Sequence, residues 1–253
     1  MLGVLGAAAW VGAQAAALEE KRASPVVEER VCNMSKYEEA TIASAVLRGS
    51  ERKFLSCAVV GSGGKLLGSG LGGEIDAHDF VVRHNNAPTA GFEGDVGSKT
   101  TMLIQSSTAL KDLMDRDKVG KFQCPAPDQL TFYTSHISEL RAWLPKRCAN
   151  DTSQFIDLRD YIIQERLSAS IRSQSGDLMA GPTAILVALR VCEAPIDLYG
   201  FTVGKITKNN KLNTPYHYYD DVTPVLKDGF DHVANKLERF IRHTVPGCIN
   251  VRT

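Results

Sequence analysis

The feature that most constrains the fold is a short apolar run, Phe54 to Val60, that stops abruptly at Gly61. The next thirteen residues, Gly61 to Gly73, contain seven glycines. A brief run ending in Val59-Val60 reads as a buried strand, because only a strand covered on both faces can be apolar without alternation. Glycines directly after a strand let the backbone approach a phosphate or nucleotide closely, since no Cβ stands in the way.

Other segments extend this pattern. Strands are expected at Asp79–Arg83, Met102–Gln105, Leu130–Thr134 and Ile196–Phe201. Between them lie helical stretches near 107–117, 136–147 and 159–171, an apolar helix at Thr183–Val191 and an amphipathic one at Asp231–His243. Ser35-Lys36-Tyr37-Glu38 is a capping-box pattern that opens a helix running to Gly49. Strands alternating with helices give an α/β fold with a mostly parallel sheet flanked by helices. With no repeats and no second composition regime, one domain is expected over 35–253.

Two segments precede it. Leu2 to Leu18 carries no charge and is mostly Ala, Gly, Leu and Val, so 1–18 reads as a signal anchor or signal peptide. Residues 19–34 are charged, contain Pro25, and read as a stem or linker. The sequons at Asn33 and Asn150 agree with a lumenal chain. Lys plus Arg equals Asp plus Glu at 29 each, which argues against a general nucleic-acid binder. The six cysteines, at 32, 57, 124, 148, 192 and 248, form no C-x-x-C and so no zinc ribbon or thioredoxin-like motif. Their even, scattered set fits disulfides in an oxidising compartment, or six free thiols in a cytosolic one.

Several residues are candidates for chemistry. Gly68, Gly70 and Gly73 spell G-x-G-x-x-G, but about seven residues beyond the strand end, which is misplaced for a dinucleotide fingerprint. Asp115-Arg116-Asp117 could hold a divalent metal, yet it lies in a polar helical stretch and reads as a solvated face. No cluster of His, Cys and carboxylates has ligand spacing, so no metal is expected. Gly181-Pro182-Thr183 opens a helix with no Ser, Asp or Asn cap, leaving N–H groups and the dipole for an anion. His217-Tyr218-Tyr219-Asp220 places an imidazole and aromatics on a loop, able to stack on a base or donate to a phosphate. His232 follows Asp231, a candidate N-cap, where the helix dipole keeps an imidazole neutral and able to act as a base.

Together these segments resemble the sialyltransferases, glycosyltransferase family 29. Cys57-Ala58-Val59-Val60-Gly61, and then Glu74 through Phe80-Val81-Val82-Arg83-His84-Asn85-Asn86-Ala87-Pro88-Thr89 with Gly91-Phe92-Glu93, Asp95-Val96-Gly97 and Thr100-Thr101, look like the family's long motif. Ala188-Leu189, Cys192 and Asp197-Leu198-Tyr199-Gly200-Phe201 look like the short one. His217-Tyr218-Tyr219-Asp220 fits the third motif, and His232 stands where the very short motif begins.

The resemblance implies a single-domain GT-A-like Rossmann variant needing neither metal nor cofactor. It implies inverting transfer of a sialic acid, or the related Kdo, from a CMP-sugar donor to a glycan hydroxyl on a glycoprotein or glycolipid. It implies a Golgi membrane protein with a lumenal catalytic domain. Gly61, Ser62, Gly63, Asn85, Gly181 and Tyr218 would form the donor site. His217 would contact the donor phosphate and His232 would be the general base. Cys57 and Cys192 match the pair that joins the two central motifs, which leaves Cys32–Cys248 and Cys124–Cys148 by elimination.

The chain departs from the family pattern at three places. Ser62 replaces an Asn. Leu178-Met179-Ala180-Gly181 keeps only the Gly of the short motif's opening. Leu237 stands where a Glu is usual, with Glu238 one position later. These departures motivate a catalytically inactive sugar- or nucleotide-binding relative as the alternative. The G-x-G-x-x-G motivates a more distant one, an NAD-dependent oxidoreductase.

Overall fold

The computed structural model describes residues 32, 46–47, 53–118, 130–133, 142–143, 146–147, 155–157, 179–193, 195–203, 215–220 and 230–252. All belong to a compact unit, Val31–Thr253. Among them, strands β1 (Cys57–Val60), β2 (Phe80–His84), β3 (Met102–Gln105), β4 (Leu130–Tyr133), β5 (Phe155–Asp157), β6 (Ile196–Tyr199) and β7 (Ile249–Arg252) form one sheet in the order β5-β4-β3-β2-β1-β6-β7. Every pairing is parallel, with Val59 opposite Val82 on one side and Leu198 on the other.

The helices are α1 (Gly72–Asp76), α2 (Glu93–Val96), α3 (Ser107–Lys118), α4 (Ala180–Val191) and α5 (Phe230–Arg239). They cover both faces, which is why β1 is apolar throughout. Its alternate side chains enter two different cores. Cys57 and Val59 pack with Val82, Ile104, Leu198, Phe240 and α4. Ala58 and Val60 pack on the other face with Leu66, Ile75, Val81, Val96 and Tyr199. α4 is buried along its whole length, as a helix apolar on all sides must be.

The elements differ from expectation mainly at their ends. β1 begins at Cys57, and Phe54 instead makes a separate parallel bridge to Cys192. β2 runs one residue further, to His84, and β6 stops at Tyr199, because Gly200 turns with a φ of +69°. α4 starts at Ala180, so Pro182 is the third helical residue and not the first. α5 starts at Phe230, which puts Asp231 inside the helix and not at its cap. After Arg239 the helix loosens into a π turn, Phe240–Thr244.

The alternation pattern missed β5, β7, α1 and α2. Each is only three to five residues long, shorter than a periodicity can register. The 159–171 helix, most of the 35–49 and 136–147 helices, both sequons, Cys124 and Cys148 lie outside the described residues. So do 1–18 and 19–31. Among the described residues no helix is long and apolar enough to cross a membrane.

Among the described residues, two disulfides tie the unit together. Cys57–Cys192 joins the start of β1 to the end of α4, with Cα atoms 6.2 Å apart. Cys32–Cys248 joins the N-terminal side to the residue before β7, with Cα atoms 4.6 Å apart. Both inner cysteines are buried. Paired cysteines belong to an oxidising compartment.

Candidate active site

The strand order reverses between β1 and β6, since β2 to β5 lie on one side of β1 and β7 on the far side of β6. In open parallel sheets such a reversal opens a crevice at the carboxyl ends of the two strands. The turns that leave those ends are the glycine turn after Val60 and Gly200-Phe201 after Tyr199.

They interlock by their backbones. Gly61 N–H donates to Tyr199 O at 2.7 Å, and Gly63 N–H to Gly200 O at 3.1 Å. A Cβ at Gly61 would stand 2.7 Å from Gly200 O, and one at Gly63 would stand 2.5 Å from it. Glycine is therefore dictated here by close approach of the backbone. The Phe201 ring ties in the third glycine: it would be 3.1 Å from a Cβ at Gly61 and 3.2 Å from one at Gly181. One ring thus lies against both the glycine turn and the N-terminus of α4.

That N-terminus is uncapped. Met179 at the cap position is extended and makes no side-chain capping bond. Thr183 returns both its N–H and its hydroxyl to Met179 O, and Pro182 has no N–H to offer. Beside it β2 ends in His84, whose ring centroid is 5.9 Å from that of Phe201. Asn85 follows with a φ of +57°, the one described non-glycine residue in the left-handed region. Its Oδ1 accepts from Ser106 N–H at 3.2 Å, and its own N–H donates to Ile104 O. Both bonds run to the end of β3 and hold Asn85 in this conformation, which Asn tolerates better than most residues.

The His217 loop closes over the glycine turn. His217 forms an antiparallel bridge to Gly63, and Tyr218 N–H donates to Ser62 O at 3.0 Å. His217 Nδ1 lies 2.5 Å from Asp220 Oδ2, with its ring stacked on Tyr219 at 4.8 Å. A carboxylate on Nδ1 fixes the imidazole so that Nε2 faces the opposite way. Asp220 was not singled out for this role in the sequence, although an i, i+3 His–Asp spacing was there to be read.

Tyr218 stands among the residues expected at the donor site. Its side chain is buried in the second core, edge-on to Phe92, and its hydroxyl donates to Pro88 O at 2.6 Å. Burial pushes the phenol up to about 12, so it remains a donor. Tyr218 fastens the loop to the long-motif segment. Arg83 braces the same face. Its buried guanidinium donates to Val96 O, Lys99 O and Thr100 Oγ1.

The backbone of His232 lies in the first turn of α5, while its side chain is outside the described residues. Leu237 is buried in the core, and Glu238 pairs with Arg242 at 3.0 Å. The formal G-x-G-x-x-G also has an internal partner. Gly68 and Gly70, both at positive φ, donate to the two oxygens of Asp95 at 2.8 Å each. Those N–H groups hold the carboxylate below its usual range and are unavailable to a pyrophosphate, which removes the basis of the oxidoreductase reading. Asp115 of the D-x-D bonds Lys111 and Lys118 on the exposed face of α3. No group of three His, Cys, Asp or Glu capable of holding a metal occurs among the described residues.

The fold and this arrangement define a parallel α/β protein with a glycine-rich turn, a bare helix N-terminus and a carboxylate-oriented histidine at its switch point. The model of glycosyltransferase family 29 (sialyltransferase) matches residues 16–242, and the chain belongs to that family. A human alpha-N-acetyl-neuraminyl-2,3-beta-galactosyl-1,3-N-acetyl-galactosaminide alpha-2,6-sialyltransferase is 32% identical over 182 residues, covering 65% of this chain and 59% of that protein. A human CMP-N-acetylneuraminate-beta-galactosamide-alpha-2,3-sialyltransferase 1 is 31% identical over 172 residues, covering 66% and 48%. The chain thus spans between about half and three-fifths of the length of these relatives. A mammalian sialyltransferase solved in complex with Gal-beta-1-3GalNAc-ortho-nitrophenol shares the fold, with a TM-score of 0.52, 23% identity, and coverage of 89% of this chain and 81% of that one.

Proposed function

We propose that this protein is a sialyltransferase: it moves a sialic acid, or a related keto-sugar acid such as Kdo, from its CMP conjugate to a glycan hydroxyl. The observation that carries this reading is the meeting of the glycine turn, the uncapped α4 N-terminus and His217 at the β1/β6 reversal. Family membership supplies the reaction class.

In the mechanism, the acceptor oxygen attacks the anomeric carbon from the face opposite the phosphate, and configuration inverts. The bond from that carbon to the phosphate oxygen breaks, and its electron pair leaves with CMP. The transition state is oxocarbenium-like. Charge grows on the leaving phosphate, where His217 Nε2 and the free α4 N–H groups would meet it without a metal. His232 takes the proton from the acceptor hydroxyl. Asn85 and Ser62 would hydrogen-bond the nucleotide, with Gly61, Gly63 and Gly181 leaving room for it. The disulfides and the apolar 1–18 segment support a Golgi-type, membrane-anchored lumenal setting.

One set of observations favours an inactive binding relative: Leu237 is committed to the core and Glu238 to Arg242. A CMP-release assay with CMP-sialic acid and CMP-Kdo against a glycan panel decides. Acceptor-dependent release with sugar transfer supports the enzyme. Tight CMP binding with no turnover on any pair supports the binder.

A further inference from the structure

We infer that His84 is a specificity-determining ligand of the donor site, giving a hydrogen bond to an acidic group of the bound nucleotide sugar, either its phosphate or its sugar carboxylate. This rests on the donor site proposed above and adds a residue to it.

The argument begins with an unsatisfied group. His84 Nδ1 is buried and has no hydrogen-bond partner. Among the described residues, no hydrogen bond reaches either nitrogen of this ring. Buried polar atoms are nearly always paired in folded proteins, so the unpaired ring is open to a ligand that brings a partner. The cost of leaving it unpaired in the free protein falls on folding, and a bound ligand removes it.

Its surroundings select the ligand. The ring is held between the Phe201 ring and the start of α4, where a Cβ at Gly181 would lie 3.6 Å from Nε2. α4 presents the positive end of a twelve-residue helix dipole. From the loop side, the ionisable group bearing on His84 is His217, a like charge. Burial first, and His217 second, hold the His84 imidazole at about 4, so it is neutral at working pH. A neutral imidazole carries one N–H donor and one bare acceptor nitrogen. The positive end of the α4 dipole lies beside this ring, and an acidic ligand group fits that sign of potential.

Position in the chain makes the role selective. His84 and Asn85 are consecutive, and Asn85 turns at positive φ at the end of β2. The strand therefore fixes the ring, while the turn fixes its neighbour. In the sequence His84 is only the residue between Arg83 and Asn85. Nothing in the sequence says that its ring faces α4, because that depends on where α4 begins.

The test is calorimetric titration of the full chain with cytidine, CMP and CMP-sialic acid, comparing wild type with His84→Phe and His84→Gln. Each variant must retain both disulfides and a cooperative melt. His84→Gln keeps a donor and an acceptor, and guards against a Phe that disturbs the packing. If the acidic group is the phosphate, His84→Phe should bind CMP roughly 10- to 100-fold more weakly with cytidine unchanged. If it is the carboxylate, CMP is unchanged and CMP-sialic acid alone loses that factor. In either case His84→Gln should recover part of the loss. Equal affinities of wild type and His84→Phe for both acidic ligands overturn the inference.

A wild type that binds no cytidine nucleotide overturns the function proposed above. His84 ring proton signals followed by NMR against inorganic phosphate then decide the inference separately. Signals that shift support an acid-group site; signals that stay fixed overturn it too.

Discussion

Removing the inner disulfide is the most quantitative perturbation the structure offers. Cys57 and Cys192 are 135 residues apart, and Cys32 and Cys248 are 216 apart. Alone, the inner bridge would restrict the unfolded chain by about 5 kcal/mol in the loop-entropy model. The outer bridge already closes a ring, however, so the inner one only divides it into arms of 135 and about 81 residues. Two arms in parallel behave as one chain of about 50, which lowers the contribution to about 4 kcal/mol. For a chain of this size that is a fall in Tm of roughly 8–16 °C.

The double variant Cys57→Ala/Cys192→Ala should therefore unfold that much earlier in calorimetry under non-reducing conditions. The same treatment predicts that the inner bridge is worth about 1 kcal/mol more when Cys32–Cys248 is already absent. The four-member cycle reads this coupling directly. A loss below about 1 kcal/mol in the double variant, or additivity across the cycle, would refute the reasoning.

Other perturbations separate the parts of the site. His232→Ala should lower sugar transfer by roughly 10²–10⁴-fold with CMP affinity nearly unchanged; steady-state kinetics alongside calorimetry tests this. Asp220→Asn should lower kcat by roughly 10–100-fold, since it frees the His217 ring without removing it; His217→Ala should lower CMP affinity as well. Gly61→Ala would place a methyl 2.7 Å from Gly200 O, forcing apart two backbones, and should cost about 1–3 kcal/mol in urea melts along with CMP binding. His84 also predicts a pH dependence. Its folded-state value lies below the unfolded 6.5, so its contribution is present above pH 6.5 and is lost as pH falls toward 4. That loss is up to about 3 kcal/mol, and His84→Phe should flatten the stability profile in this window.

Much of this protein was legible in one dimension. Local rules bear on a few adjacent residues, and several were enough here. The apolar Cys57–Val60 run specified a buried parallel strand, because a strand covered on both faces need not alternate. The dense glycines after Val60, the lack of a capping side chain before α4 and the family motifs marked the stretches proposed for the donor site.

What the tertiary structure decided is which of these groups meet, and in which direction they face. A glycine-rich stretch looks uniform in sequence. Yet Gly61 and Gly63 are pressed against Gly200, while Gly68 and Gly70 cradle Asp95. The difference comes from strand order, which sets β6 beside β1 and α2 beside the far end of the loop. Tyr218 and His217 are neighbours on one loop, and successive side chains point opposite ways. The tyrosine is drawn into the core and the histidine stays near the crevice. His84 gained its significance only when α4 began at Ala180 and brought Gly181 to its ring. Contacts between residues about a hundred positions apart depend on chain-wide packing, and no local pattern encodes them.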